Sequence, residues 1–219
     1  MKKILILISV LIALTPYESF GQNKKGGIEY KKNIDKLISE KEIIYYGVDF
    51  SKCKISDAKW LGKTAIMKNI QIPEWIAILN KKYELSWITG NLRSGKISSD
   101  LNAIQMLCKD IKESELVSFA TYSFPIDSVN SFVKSYKLTQ TNGAGLVLII
   151  ENLNQPERYI TGYWTFFDIE TREVLYATKM KGLPGSKYGY SQYWKEGMVE
   201  LYEYYFRDYY KMTMIKRAN

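Results

Sequence analysis

The stretch GLVLIIENLNQPERYITGYWTFFDIETREVLYATKM, Gly145–Met180, decides the fold. Its first six residues, Gly145–Ile150, are apolar without polar alternation, the pattern of a strand covered on both faces. A turn is expected over Asn152–Glu157. The next run, YITGYWTFFDI (Tyr159–Ile169), sets Tyr163, Thr165, Phe167 and Ile169 against Gly162, Trp164, Phe166 and Asp168. Both faces therefore carry large rings. One face is core, and the other either lies under a helix or forms an exposed aromatic platform for a sugar or an apolar partner. EVLYATKM (Glu173–Met180) makes a third strand, so the stretch predicts an antiparallel meander.

The turn between the second and third strands reads DIETR, Asp168–Arg172. Asp168 can accept from a backbone N–H two or three residues on, with Thr171 doing the same more weakly. Arg172 falls at the left-handed position where glycine is the usual residue. Asp168 and Glu170 could instead be the paired acids of a glycosidase. The turn reading outweighs that one, because no second carboxylate cluster is visible.

Downstream, Gly182–Tyr190 is a glycine-punctuated loop before a helix that begins near Ser191. Such a loop can hold an anion at the helix N-terminus, and Lys187, Tyr188 and Tyr190 are the candidate ligand-binding residues. Its spacing matches neither the P-loop nor the dinucleotide fingerprint. In the helix, Trp194, Met198, Leu201, Tyr205, Tyr209 and Met212 form one apolar stripe, widened by Tyr202 and Phe206.

Upstream, the periodicity predicts a helix within Lys31–Lys41 and a strand over Ile43–Phe50 that continues weakly to Ile55. Gly47 in that run marks a bulge or a close backbone approach. Asp49 near its end is either a site carboxylate or a solvent-facing or loop-capping residue. Ser56–Ile72 has no regular pattern, and Pro73 fits the first turn of a helix with Trp75, Ile76, Leu79 and Tyr83 on its apolar face. Leu85–Ile88 reads as a short strand. Ser98 or Ser99 is expected to cap a helix bearing Leu101, Ile104, Cys108 and Ile111 on one stripe. Leu116–Phe124 reads as a strand stopped by Pro125, and Asp127 caps a helix with Val129, Phe132, Val133 and Tyr136 inward. Together these elements predict one α/β (α+β) domain over Gln22–Asn219, with a mixed sheet, flanking helices and the C-terminal antiparallel meander.

The first 21 residues have the pattern of a secretory signal peptide: Lys2 and Lys3, the apolar run Ile4–Leu14, and Ser19-Phe20-Gly21 before Gln22. That run is too short for a membrane anchor, and no later segment is expected to span a bilayer. The expectation is an exported protein of the periplasm or extracellular space. Hydrophobic residues at 46% and charged residues at 25% make the chain globular rather than disordered. The net charge of +8 comes from scattered lysines without a nucleic-acid motif, which for an exported protein favours an anionic lipid or polysaccharide over nucleic acid; the expected partner is an unknown envelope protein or a glycan. Cys53 and Cys108 either form one disulfide in an oxidising compartment or remain two separate buried thiols.

The sequence contains no histidine, which removes Ser-His-Asp and Cys-His catalysis and His-ligated metal sites. Any enzymatic chemistry would rest on carboxylates, Lys or Tyr. No cofactor or metal is implied.

TGYWTFFDIETREVLYATKMKG (Thr161–Gly182), together with YYGVDFSK (Tyr45–Lys52), resembles a pattern of bacterial envelope proteins. In that pattern an aromatic strand ends in an Asp-x-x-Thr-Gly turn, followed by a Val-Leu strand and a helix. Arg172 stands here in place of the glycine. The segment is similar to the α/β domains of the Tol-system N-terminal domain and of penicillin-binding-protein activator lipoproteins, and most of all to uncharacterised secreted proteins of Bacteroidetes. The resemblance implies an envelope protein without a known active site. The functional expectation is therefore a non-enzymatic binding or assembly-accessory protein of the envelope. The alternative is a carboxylate-based hydrolase of a cell-wall glycan using Asp49, Asp168 or Glu170.

Overall fold

The computed structural model describes residues 29–60, 62–92, 96–185 and 190–210. Seven strands form one mixed sheet: β1 (Glu29–Lys31), β2 (Glu42–Asp49), β3 (Lys54–Ser56), β4 (Lys96–Ser99), β5 (Ala144–Asn154), β6 (Tyr159–Asp168) and β7 (Val174–Gly182). The order across it is β1-β7-β6-β5-β2-β4. β1, β7, β6 and β5 are joined antiparallel, whereas β2 and β4 run parallel to β5. The expected α/β architecture with a C-terminal meander is the observed one.

β5 is the central strand and all eleven of its residues are buried. It extends through Glu151–Asn154, past the point where the sequence suggested a turn. β2 pairs with its first half and β3 with its second, so the weak continuation of β2 is a separate short strand after a turn at Ser51-Lys52. Gly47 sits at a register shift between Tyr45 and Val48 with φ of +83°, and a side chain there would meet Leu101 at 3.0 Å. It is both a bulge and a close approach. At Gly145 the paired Phe167 ring lies where a Cβ would project, filling the space over the glycine.

Both faces of the sheet are covered. On one, Trp164 and Phe166 of β6 pack with α3 (Ile72–Lys82), α4 (Leu85–Leu92) and α8 (Tyr190–Tyr204) through Trp75, Leu79, Tyr83, Ile88, Trp194 and Tyr202. Tyr83 and Tyr202 stack at 4.2 Å, and Trp164 meets Tyr202 edge-on at 4.9 Å. On the other, Tyr163, Phe167 and Ile169 pack beneath Val129 and Val133 of α7 (Asp127–Lys134), with Phe124 and Tyr136. The aromatic alternation along β6 thus serves two cores and leaves no exposed platform on this strand. α5 (Asn102–Lys109) flanks β2, with Ile104 in the second core and Cys108 in the first.

Four local expectations are corrected. Leu85–Ile88 begins α4 rather than a strand: Glu84 O accepts from Trp87 and Ile88 N–H, and Ile88 and Leu92 are buried one turn apart. A four-residue apolar run cannot by itself distinguish the two. Ser98 and Ser99 belong to β4, and the carboxylate of Asp100 takes the capping bond from Ala103 N–H. Leu116 closes the short helix α6 (Glu113–Leu116), and the segment after it makes only a single bridge, Val117 to Ile55. Beyond that bridge its backbone is bonded by the side chains of Ser56, Asn152 and Glu151 rather than by a neighbouring strand.

Finally, the region 62–71 is helical rather than irregular. α2 (Thr64–Ile66) passes through a π segment (Met67–Gln71) directly into α3. Pro73 therefore lies inside a continuous helical run. Proline has no N–H for the carbonyl four residues back and would clash with it. The wider register, with Ile72 N–H bonded to Met67 O, accommodates it.

Candidate functional site

The loop carrying Lys187 and Tyr188 lies outside the described residues, as do residues 1–28 with the expected signal peptide. Tyr190 is the first residue of α8, and its side chain is likewise outside the described set. At the near end of that loop, Leu183 N–H donates to Glu200 Oε2 at 2.7 Å and Gly185 N–H to Tyr193 O at 3.1 Å.

The candidate carboxylates are not brought together. Asp49 pairs with Ile149 and Asp168 with Ala144, at opposite ends of the same stretch of β5. Five residues of strand separate them by roughly 17 Å. Asp49 is fully buried, accepting from Ser51 N–H and the Tyr136 hydroxyl, each at 2.7 Å. It caps the turn after β2, and it does so from the interior rather than facing solvent. Asp168 accepts from Thr171 N–H at 2.7 Å and Thr171 Oγ1 at 3.0 Å, and Lys36 forms an ion pair with it. Burial raises this carboxyl, but Lys36 and Thr171 outweigh it and hold the group below its ordinary value. Glu170 is exposed, and Arg172 takes the left-handed conformation at φ of +59°. The DIETR segment is a hairpin turn held by its own side chains.

The densest polar cluster was not legible as such in the sequence. Glu151, fully buried on β5, accepts from Ser123 Oγ at 3.0 Å, Phe124 N–H at 2.9 Å and Thr161 Oγ1 at 2.8 Å. Lys179 of β7 pairs with it at 2.6 Å and also donates to Ser123 Oγ at 2.8 Å. Next to it, Asn152 Nδ2 donates to Tyr122 O, Ser56 Oγ to Ala120 O, and Asn154 Nδ2 to Thr121 Oγ1. Polar side chains at the end of β5 thus hold residues 120–124 against the sheet, in place of a strand ladder. The only signal in the sequence was a glutamate directly after the run GLVLII, where burial on both faces demands partners.

Cys53 and Cys108 are both free and buried. Burial pushes the Cys108 thiol up to about 12, despite N–H bonds from Phe50 and Ser51, and raises Cys53 well above its ordinary value. Burial therefore keeps both thiols protonated at neutral pH. Among the described residues no group of three or more acidic or cysteine side chains is placed to hold a metal ion, and no helix is long and apolar enough to cross a membrane.

One open feature among the described residues is a groove of about 470 Å³ between the π segment with α3 on one side and α5 on the other. Lys68, Asn69, Ile72, Pro73, Ile76 and Ala77 form one wall. Gln105, Cys108 and Lys109 form the other. Its size is that of a small-molecule site, roughly 300–1,000 Å³. The π register that accommodates Pro73 also shapes this wall, and π segments occur frequently at functional positions. Neither Lys68 nor Lys109 is paired with a carboxylate among the described residues. Nothing in the sequence placed these two walls side by side.

Comparison with protein-family models, with curated proteins and with solved structures finds no match to this chain.

Proposed function

We propose that the protein is an exported, non-enzymatic binding or assembly-accessory protein of a bacterial envelope, and that the groove between α3 and α5 is its binding face. One observation carries the binding half. The groove combines apolar walls with two lysines free of carboxylate partners among the described residues. Two of the three candidate hydrolase carboxylates are engaged in the fold, Asp49 by Tyr136 and Ser51 and Asp168 by Thr171 and Lys36, and the third, Glu170, is exposed on the hairpin turn; Glu151 is likewise held, by Lys179 and three further donors. The export half is supported by the pattern of Met1–Gly21.

The test is expression of the full chain in a Gram-negative host with a photo-crosslinking residue at Met106, exposed on α5 next to the lining residue Gln105, or at exposed Glu170 as a control. The expected result is a processed protein in the envelope fraction and a discrete adduct from position 106 but not 170. Retention of the unprocessed chain in the cytoplasm, or equal adducts from both positions, would overturn the reading.

A further inference from the structure

If the groove is the binding face, its lining also limits what can occupy it. We infer that it takes a single-chain anionic amphiphile, an acyl chain ending in one carboxylate, of the fatty-acid type. This rests on the reading above and adds the class of ligand.

Three features of the lining point the same way. Ile72, Pro73, Ile76, Ala77 and Cys108 present carbon and sulfur, and burial keeps the Cys108 thiol neutral. Proline in addition has no backbone N–H to offer. Such a surface favours an apolar chain over a polar ligand. The only charged lining residues are cationic, Lys68 from the π segment and Lys109 from α5, with Asn69 and Gln105 as further amide donors. A ligand that satisfies the carbon surface and the two ammonium groups together must be apolar along its length and anionic at its head.

The lining also holds no aromatic ring, so it lacks the stacking surface that a sugar would use. A volume of about 470 Å³ suits one chain rather than a folded partner, which would need a contact of roughly 800 Å² on this side.

The experiment titrates the purified full chain with the C8, C10, C12 and C14 saturated carboxylates, each below its micellar concentration, and with dodecanol. Saturable binding is expected, tightening about fourfold per methylene, which is a buried CH₂ expressed as affinity. Dodecanol should bind about tenfold more weakly than dodecanoate, the difference a charge-assisted bond makes. The Lys68→Ala/Lys109→Ala double variant should weaken dodecanoate about tenfold and leave dodecanol unchanged. Ala77→Trp, at an exposed position of α3, should abolish both by filling the groove, and Gln105→Trp repeats the block from the opposite wall should the first variant fold poorly.

Binding that survives both tryptophan variants, or that ignores head-group charge and the two lysines, would overturn the proposal. If no carboxylate binds while position 106 still yields its discrete adduct in the envelope, the ligand class is wrong and the binding face stands. If both fail, the functional reading falls with it.

Discussion

Two regions of this molecule concentrate polar chemistry, and they differ in whether that chemistry is satisfied. Around Glu151, a buried carboxylate meets an ammonium, two hydroxyls and a backbone N–H. Along the groove, Lys68 lines one wall and Lys109 the other, and no carboxylate is among the lining residues. The first region has the richer chemistry and the second the simpler. Yet a buried group whose bonds are all made has nothing left to offer a ligand. Free energy spent on Glu151 stabilises the loop over residues 120–124, whereas the lysines of the groove remain available. The richest cluster of titratable side chains is thus structural, and the proposed site rests instead on lysines without carboxylate partners among the described residues.

The contrast can be broken most directly at Lys179. Lys179→Met should cost about 3–5 kcal/mol, because it leaves a buried carboxylate without its cation. Urea unfolding followed by tryptophan fluorescence measures it. Adding Glu151→Met should not recover the wild-type stability, since Phe124 N–H and the Ser123 and Thr161 hydroxyls then lose their acceptor.

A smaller effect is expected at the hairpin turn. Asp168→Asn removes the charge that meets Lys36 and should cost about 1–2 kcal/mol at neutral pH. The folded carboxyl of Asp168 lies below its unfolded value of about 3.9, so its contribution is fully present above that pH and is lost as pH falls through the lower folded value. Acid unfolding of the variant should accordingly show a shallower loss of stability below about pH 4 than the parent. Equal slopes would show that the pair with Lys36 contributes nothing.

The core thiols test how closed the interior is. Both Cys53 and Cys108 are raised and buried, so neither presents a thiolate at neutral pH. Alkylation of the native protein should proceed only at its opening rate and accelerate on addition of denaturant. Rapid native labelling of Cys108, which lines the groove, would show that reagent reaches its sulfur through the groove, whereas Cys53 should still wait for opening of the fold.

The smallest change in stability is expected in the groove itself. Lys68→Ala and Lys109→Ala should each stay within about 0.5 kcal/mol of the parent, as surface positions without ion pairs do. A large loss at either would mean that these lysines are structural after all, and the distinction between the two regions would disappear.

Parts of this arrangement were legible in single residues. GLVLII announced a strand covered on both faces because nothing in it could face water. Asp168, Thr171 and Arg172 announced a turn because their bonds span only three or four residues. Leu116–Phe124 misled for the opposite reason: its composition suits a strand, but its bonds go to Glu151, Asn152 and Asn154, about thirty residues away. Lys187 and Tyr188 fall outside the described residues, and Tyr190 opens α8.

The sequence by itself determined the meander, the large rings on both faces of β6 and the exclusion of histidine chemistry, since each depends on local pattern or on composition; that both faces of β6 are covered was decided by the helices packed on them. Only the tertiary structure decided that β3 would take the edge of β5, that Glu151 would be enclosed, and that Pro73 would sit within a π-shaped wall opposite α5. Those outcomes depend on which surfaces of distant segments meet. Short-range periodicity records which side of an element is buried, but not what lies against it.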